Sequence, residues 1–118
     1  MDTDKAIVAF SQSEKIKTGI IWISQLLNML QGLPEVEKKG GEKLINAMIN
    51  MIGQEIKLAG TVSGIETWDE IAPFLDKAVL MINSGLADEA TPHLSRALSK
   101  VTSVGQQSMT ILKEKGLI

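Results

Sequence analysis

Three features of the sequence predict an all-α fold, a four-helix bundle whose sequential neighbours run antiparallel. The apolar residues are mainly Ile, Leu, Met and Ala, with no Tyr and only 3% aromatics, a selection that suits helices better than strands. They recur with a period near 3.6 rather than 2. Breaks at Gly32-Leu33-Pro34, Gly40-Gly41, Gly60–Gly64, Ser84-Gly85 and Thr91-Pro92 cut the chain into segments of helical length. Gly suits helix ends and Pro suits first turns. Four amphipathic helices on short connections pack as a compact bundle, and 118 residues fit one domain.

The first helix is predicted over residues 12–31. Ile16, Ile20, Trp22, Ile23, Leu26, Leu27, Met29 and Leu30 fall in one half of its wheel, opposite Glu14, Lys17, Thr18, Gln25 and Asn28. Ser11-Gln12-Ser13-Glu14 reads as a capping box, in which hydroxyl and carboxylate satisfy free N–H groups reciprocally. Ala6–Phe10 do not continue this phase, so the segment reads as a separate short N-terminal arm. The second helix is predicted over residues 42–59, with Leu44, Ile45, Ala47, Met48, Ile49, Met51, Ile52, Ile56 and Leu58 opposite Lys43, Asn46, Asn50, Gln54 and Lys57. Residues 34–39 read as a turn or short helix before Gly40-Gly41, because each Gly costs ~1 kcal/mol in a helix interior.

The third helix is predicted over residues 67–84. Thr67-Trp68-Asp69-Glu70 reads as its capping box, and Ile71, Ala72, Phe74, Leu75, Ala78, Val79 and Ile82 as its apolar face. Pro73 is expected to kink this helix or delay its regular part by a turn. The fourth is predicted over residues 92–115 with Thr91 as N-cap. Its stripe of Leu94, Ala97, Leu98, Val101, Val104, Gly105, Ser108, Ile111 and Leu112 contains small residues that admit a neighbouring helix closely. Met residues at core spacing read as core, adaptable though Met is at binding surfaces.

Composition removes several chemistries. Without Cys there is no disulfide, thiolate nucleophile or Cys-ligated zinc. A net charge of −2 offers no basic excess to a phosphate backbone, so no nucleic-acid partner is expected. The charge is uneven: residues 61–90 are acidic apart from Lys77, while 91–118 carry Arg96, Lys100, Lys113 and Lys115 against Glu114, which predicts pairing between the last two helices. Met1-Asp2-Thr3-Asp4 is acidic where a secretory signal needs positive charge, and no apolar run approaches the ~20 residues of a transmembrane span. These features predict a soluble, cytoplasmic protein.

No catalytic, cofactor-binding or metal site is expected either. His93 follows Glu89 by four residues, but Pro92 intervenes and no Glu-x-x-His motif occurs. There is no Gly-x-Ser-x-Gly elbow and no phosphate-cradling Gly motif. The sequence therefore predicts a non-enzymatic helical interaction or accessory protein, acting as a homo-oligomer or through a partner helix. Ile7 and Phe10 on the arm, with Ile21 and Leu80 on polar helix sides, are its candidate interaction surface. Glu55, in the apolar arc of the second helix, is the candidate ligand or buried polar site. The alternative function is a carrier of an apolar small molecule or lipid between the helices, with Glu55 as polar contact. A buried carboxylate without a partner favours its neutral form, and Glu55→Gln would then stabilise the fold at neutral pH; a pairing lysine reverses that sign.

Overall fold

Buried positions along each helix alternate at intervals of three and four. In the first they are Ala6, Ala9, Ser13, Ile16, Ile20, Ile23, Leu27 and Leu30, with Gly19 buried beside Ile20; in the last, Ala90, Leu94, Ala97, Val101, Val104, Ser108 and Leu112. That spacing averages 3.5 residues and forms the seam of helices crossing at about 20°. The computed structural model, which describes residues 1–118, is accordingly a bundle, 87% helical with four α-helices and no strand. Helix α1 spans Thr3–Gln31, α2 Glu35–Ser63, α3 Ala72–Asn83 and α4 Ala90–Glu114. Short 3₁₀ turns, Glu66–Glu70 and Ala87–Glu89, lead into α3 and α4.

α1 packs on α2 and α4, and α3 packs on α4 and more thinly on α2. The helices thus form a ring in chain order, with α1 and α3 on one diagonal. Cross-contacts fix the antiparallel directions. Gly19 lies against Ile52 and Gly41 against Leu30 between α1 and α2, while Ser13 meets Gly105 of α4, Met1 lies beside Ser108 and Gln31 bonds to Asp88 just before α4. The molecule measures 53 × 22 × 18 Å. No helix is long and apolar enough to cross a membrane.

Several boundaries differ from the sequence reading, each for an identifiable reason. The arm is the start of α1: Asp2 caps the helix by accepting from the Lys5 N–H at 2.8 Å, and Ala6 and Ala9 are fully buried. Ser11 and Glu14 therefore form no capping box, since both lie inside α1, and between them the buried Ser13 hydroxyl donates to the Phe10 carbonyl at 2.8 Å. Gly40 and Gly41 do not interrupt α2, which begins six residues earlier than Gly41, at Glu35. A Cβ at Gly41 would stand 2.7 Å from Leu30 Cδ1 and 3.2 Å from Leu33 Cδ1, so this glycine admits the leucines that close the α1–α2 connection.

Pro73 delays the regular helix, as one of its two expected effects. Residues 66–70 wind as a 3₁₀ turn without a side-chain cap from Thr67, and α3 starts at Ala72 with Pro73 in its first turn. The helix also bends by 20°. α4 starts at Ala90 rather than Pro92, with no cap from Thr91, and Pro92 lies in the first turn where its missing N–H costs nothing. Of the expected pairing between the acidic and basic segments, one cross-element bridge forms, Lys100 to Glu70 at 3.5 Å.

Candidate interaction face

The core uses only part of the apolar arcs of α1 and α2. On α2, Ile45, Ile49, Ile56, Ala59 and Ser63 are buried, with Ile52 packed beside them. One residue behind each lies a second series, Leu44, Met48, Met51, Glu55, Leu58 and Val62, again at intervals of four and three. Met48 and Glu55 are half-buried, whereas Leu44, Met51, Leu58 and Val62 are exposed, Leu44 by 74%. On α1 the corresponding series is Lys15, Gly19, Trp22, Leu26 and Met29, in which Trp22 is 56% and Met29 67% exposed.

The two series adjoin. Gly19 receives Ile52, and Lys15 Nζ lies 3.0 Å from Glu55 Oε1, which joins the flank of α1 bearing Trp22 and Met29 to the flank of α2 bearing Met51 and Leu58. The result is one apolar strip along the α1–α2 pair. By contrast, α4 carries no exposed large apolar side chain; its outer surface displays Ser95, Ser99, Thr102, Ser103 and Gln106. Exposed apolar residues scattered singly need no explanation, but seven-residue repeats on two adjoining helices are not scatter.

Trp22, Met29 and Met51, expected in the core, therefore belong to this surface. Glu55 is not the isolated carboxylate expected from the wheel. Lys15 pairs with it, although Oε2 is enclosed without a hydrogen bond. Because the Lys15 side chain is 63% exposed, the pair contributes no more than about 1 kcal/mol. Glu55→Gln is expected to destabilise by less than that in urea melts at pH 7, and a clear stabilisation would show that Lys15 does not pair with it.

The four residues singled out from sequence do not form one patch. Ile7 and Phe10 meet Leu112, Leu117 and Ile118 around a groove between α1 and the chain end. Ile21 lies two heptads along the same side of α1 from Ile7, but the Glu14–Lys17 ion pair, at 3.0 Å, intervenes. Leu80 is on α3, diagonally across the bundle from α1, two residues from each of the buried Ala78 and Ile82 and so facing outward.

The grooves of the bundle lie elsewhere. One of about 560 Å³ separates α2 from α3 and is lined by Asn46, Asn50, Gly53, Leu75, Asp76 and Val79 among others. Glu55 lines none of the five principal grooves. His93 is half-buried, its Nδ1 without a partner, and no three His, Asp or Glu side chains gather as a metal would require. Compared with known proteins, the chain matches no family model, no curated protein and no solved structure.

Proposed function

We propose that this protein is a non-enzymatic interaction module of the cytoplasm that binds another helical surface through its α1–α2 face. The observation that carries the reading is the second heptad series on α2, exposed along residues 44–62 and continued on α1 by Trp22 and Met29. A helix with two adjacent a/d-type series is patterned for two sets of neighbours, and the fold supplies only one. The charge distribution agrees. In residues 15–33 and 44–62 the only charged side chains are Lys15, Lys17, Glu55 and Lys57, and interface cores are depleted of charge in the same way.

The alternative, a carrier of an apolar molecule, draws less support, since Glu55 opens onto no principal groove. A native mass spectrum showing a retained small molecule on the monomer would favour it.

The reading is tested by placing a photo-crosslinking amino acid at position 51 and, separately, at Ser99 on the polar face of α4, in the cells that make the protein. Protein adducts are expected from position 51 and not from position 99. Equal yields from both, or none from position 51, would remove the interaction face.

A further inference from the structure

We infer that the occupant of the α1–α2 face is a second copy of this chain, docked antiparallel about a two-fold axis at the level of Met51 and Glu55. The inference rests on the interaction reading above and deepens it by naming the partner.

Three observations on the face favour a second copy. The first is register. Reversed on itself, the exposed α2 series pairs Leu44 with Val62, Met48 with Leu58 and Met51 with Glu55 of the other copy. Every layer then joins one position of the 44-51-58 repeat to one of the 48-55-62 repeat, which is how an antiparallel two-fold seam, with the same patch on both subunits, closes.

The second is charge. Lys15 and Glu55 are the charges on the face, and they neutralise each other at 3.0 Å. The face has no net sign with which to select an oppositely charged partner, and in a two-fold dimer each Glu55 reaches the axis with its own Lys15, which offsets the repulsion between the two carboxylates. Glu55 Oε2, enclosed without a hydrogen bond, lies beside the inferred axis. There a lysine of the other copy would come near enough to be shared.

The third is area. Residues 44–62 span about 27 Å of helix at 1.5 Å per residue, and two helices side by side present a strip roughly 20 Å wide. Each copy would bury on the order of 500 Å², near 1,000 Å² in total, the lower bound for a specific interface. A dimer in the micromolar range is expected, in which two α1–α2 pairs stack face to face as two layers of two helices.

The absence of Cys makes the geometry directly testable in the full chain. Under mild oxidation, a mixture of Leu44→Cys and Val62→Cys proteins should form a disulfide-linked heterodimer, while neither variant links to itself, because like positions lie some 27 Å apart along the seam. Sedimentation velocity up to roughly 500 µM should show a dimer, and Met51→Asp or Leu58→Asp should weaken it at least tenfold. Both positions are more than half exposed, so the variants should melt as the parent does. Self-linking of Leu44→Cys would overturn the antiparallel register. A dimer lost on Phe10→Ser with Ile21→Ser, but not on Met51→Asp, would overturn the choice of face. A monomer throughout, with position 51 still photo-crosslinking to a different protein, would overturn the second copy while leaving the interaction reading intact; a monomer without such adducts would remove both.

Discussion

Replacing Trp68 by Ala is expected to lower the free energy of unfolding by about 3–5 kcal/mol, read as a shift of the urea midpoint at an unchanged slope. Trp68 is fully buried although it belongs to a five-residue 3₁₀ turn rather than a long helix. α3 does not begin until Ala72, whereas α2 continues to Ser63. The turn over Glu66–Glu70 fills that end of the bundle by packing on α2 and α4. A Cβ at Gly60 would stand 3.4 Å from Trp68 Cβ, so the indole is inserted with little space around its root. Truncation leaves a cavity that only the ends of long helices could close, which places the cost in the upper part of the large-to-small range. Against a typical domain stability of ~5–15 kcal/mol, that loss is about a fifth or more. The indole N–H has no hydrogen-bond partner. Trp68→Phe removes that unsatisfied donor along with some volume and should cost less than the Ala variant. A loss below about 1 kcal/mol for Trp68→Ala would mean that the turn lies outside the cooperative core.

The helical segments and most core positions were legible because their side chains are bulky and repeat at helical spacing. Ile16, Ile20, Ile23 and Leu27 are buried where the wheel puts them, as are Leu94, Val101 and Val104. The start of α1 was not legible because its core positions, Ala6, Ala9 and Ser13, carry little apolar weight, while the conspicuous Ile7, Val8 and Phe10 point elsewhere. The same substitution of small residues for large ones hid the continuity of α2 through Gly40-Gly41. Local propensity argued for a break there, and the packing of Leu30 and Leu33 against Gly41 overrides it.

The exposed apolar strip is present in the sequence, where its residues read as core. A wheel reports that Trp22, Met29, Leu44 and Met51 share half of a helix with buried residues; it does not say how much of that half a bundle of four can cover. The readable signal was arc width. Each of α1 and α2 displays an apolar sector close to half its circumference, wider than the stripe of about 100° needed to face a core. Wheel position placed Glu55 correctly in that sector, but Lys15 lies forty residues away in sequence and its pairing needed the fold.

Ala9→Leu separates the two descriptions of the N-terminal segment, with an expected loss of about 1–3 kcal/mol. On a detached arm, a longer apolar side chain would be neutral or mildly favourable. In the folded bundle Ala9 is fully buried in the core, one turn before Ser13, where α1 and α4 approach closely. One turn further along α1, a Cβ added to Gly105 of α4 would lie 2.9 Å from Ser13 Oγ and 3.5 Å from Ser13 Cβ. Three extra carbons at position 9 therefore have to separate α1 from α4 or force a side chain out of its rotamer. Both costs fall on the interface that fixes the two longest seams against each other. Ile7→Ser, two residues away on the exposed side, should change stability by no more than about 0.5 kcal/mol. Gly105→Ala provides a second reading of the same seam. Its gain of ~1 kcal/mol in helix propensity is opposed by the contact with the Ser13 hydroxyl, so it should be near neutral alone and stabilising once Ser13→Ala removes that hydroxyl. Non-additivity of at least about 0.5 kcal/mol between the two substitutions is expected. Equal, small effects of Ala9→Leu and Ile7→Ser would return residues 6–10 to the status of an arm.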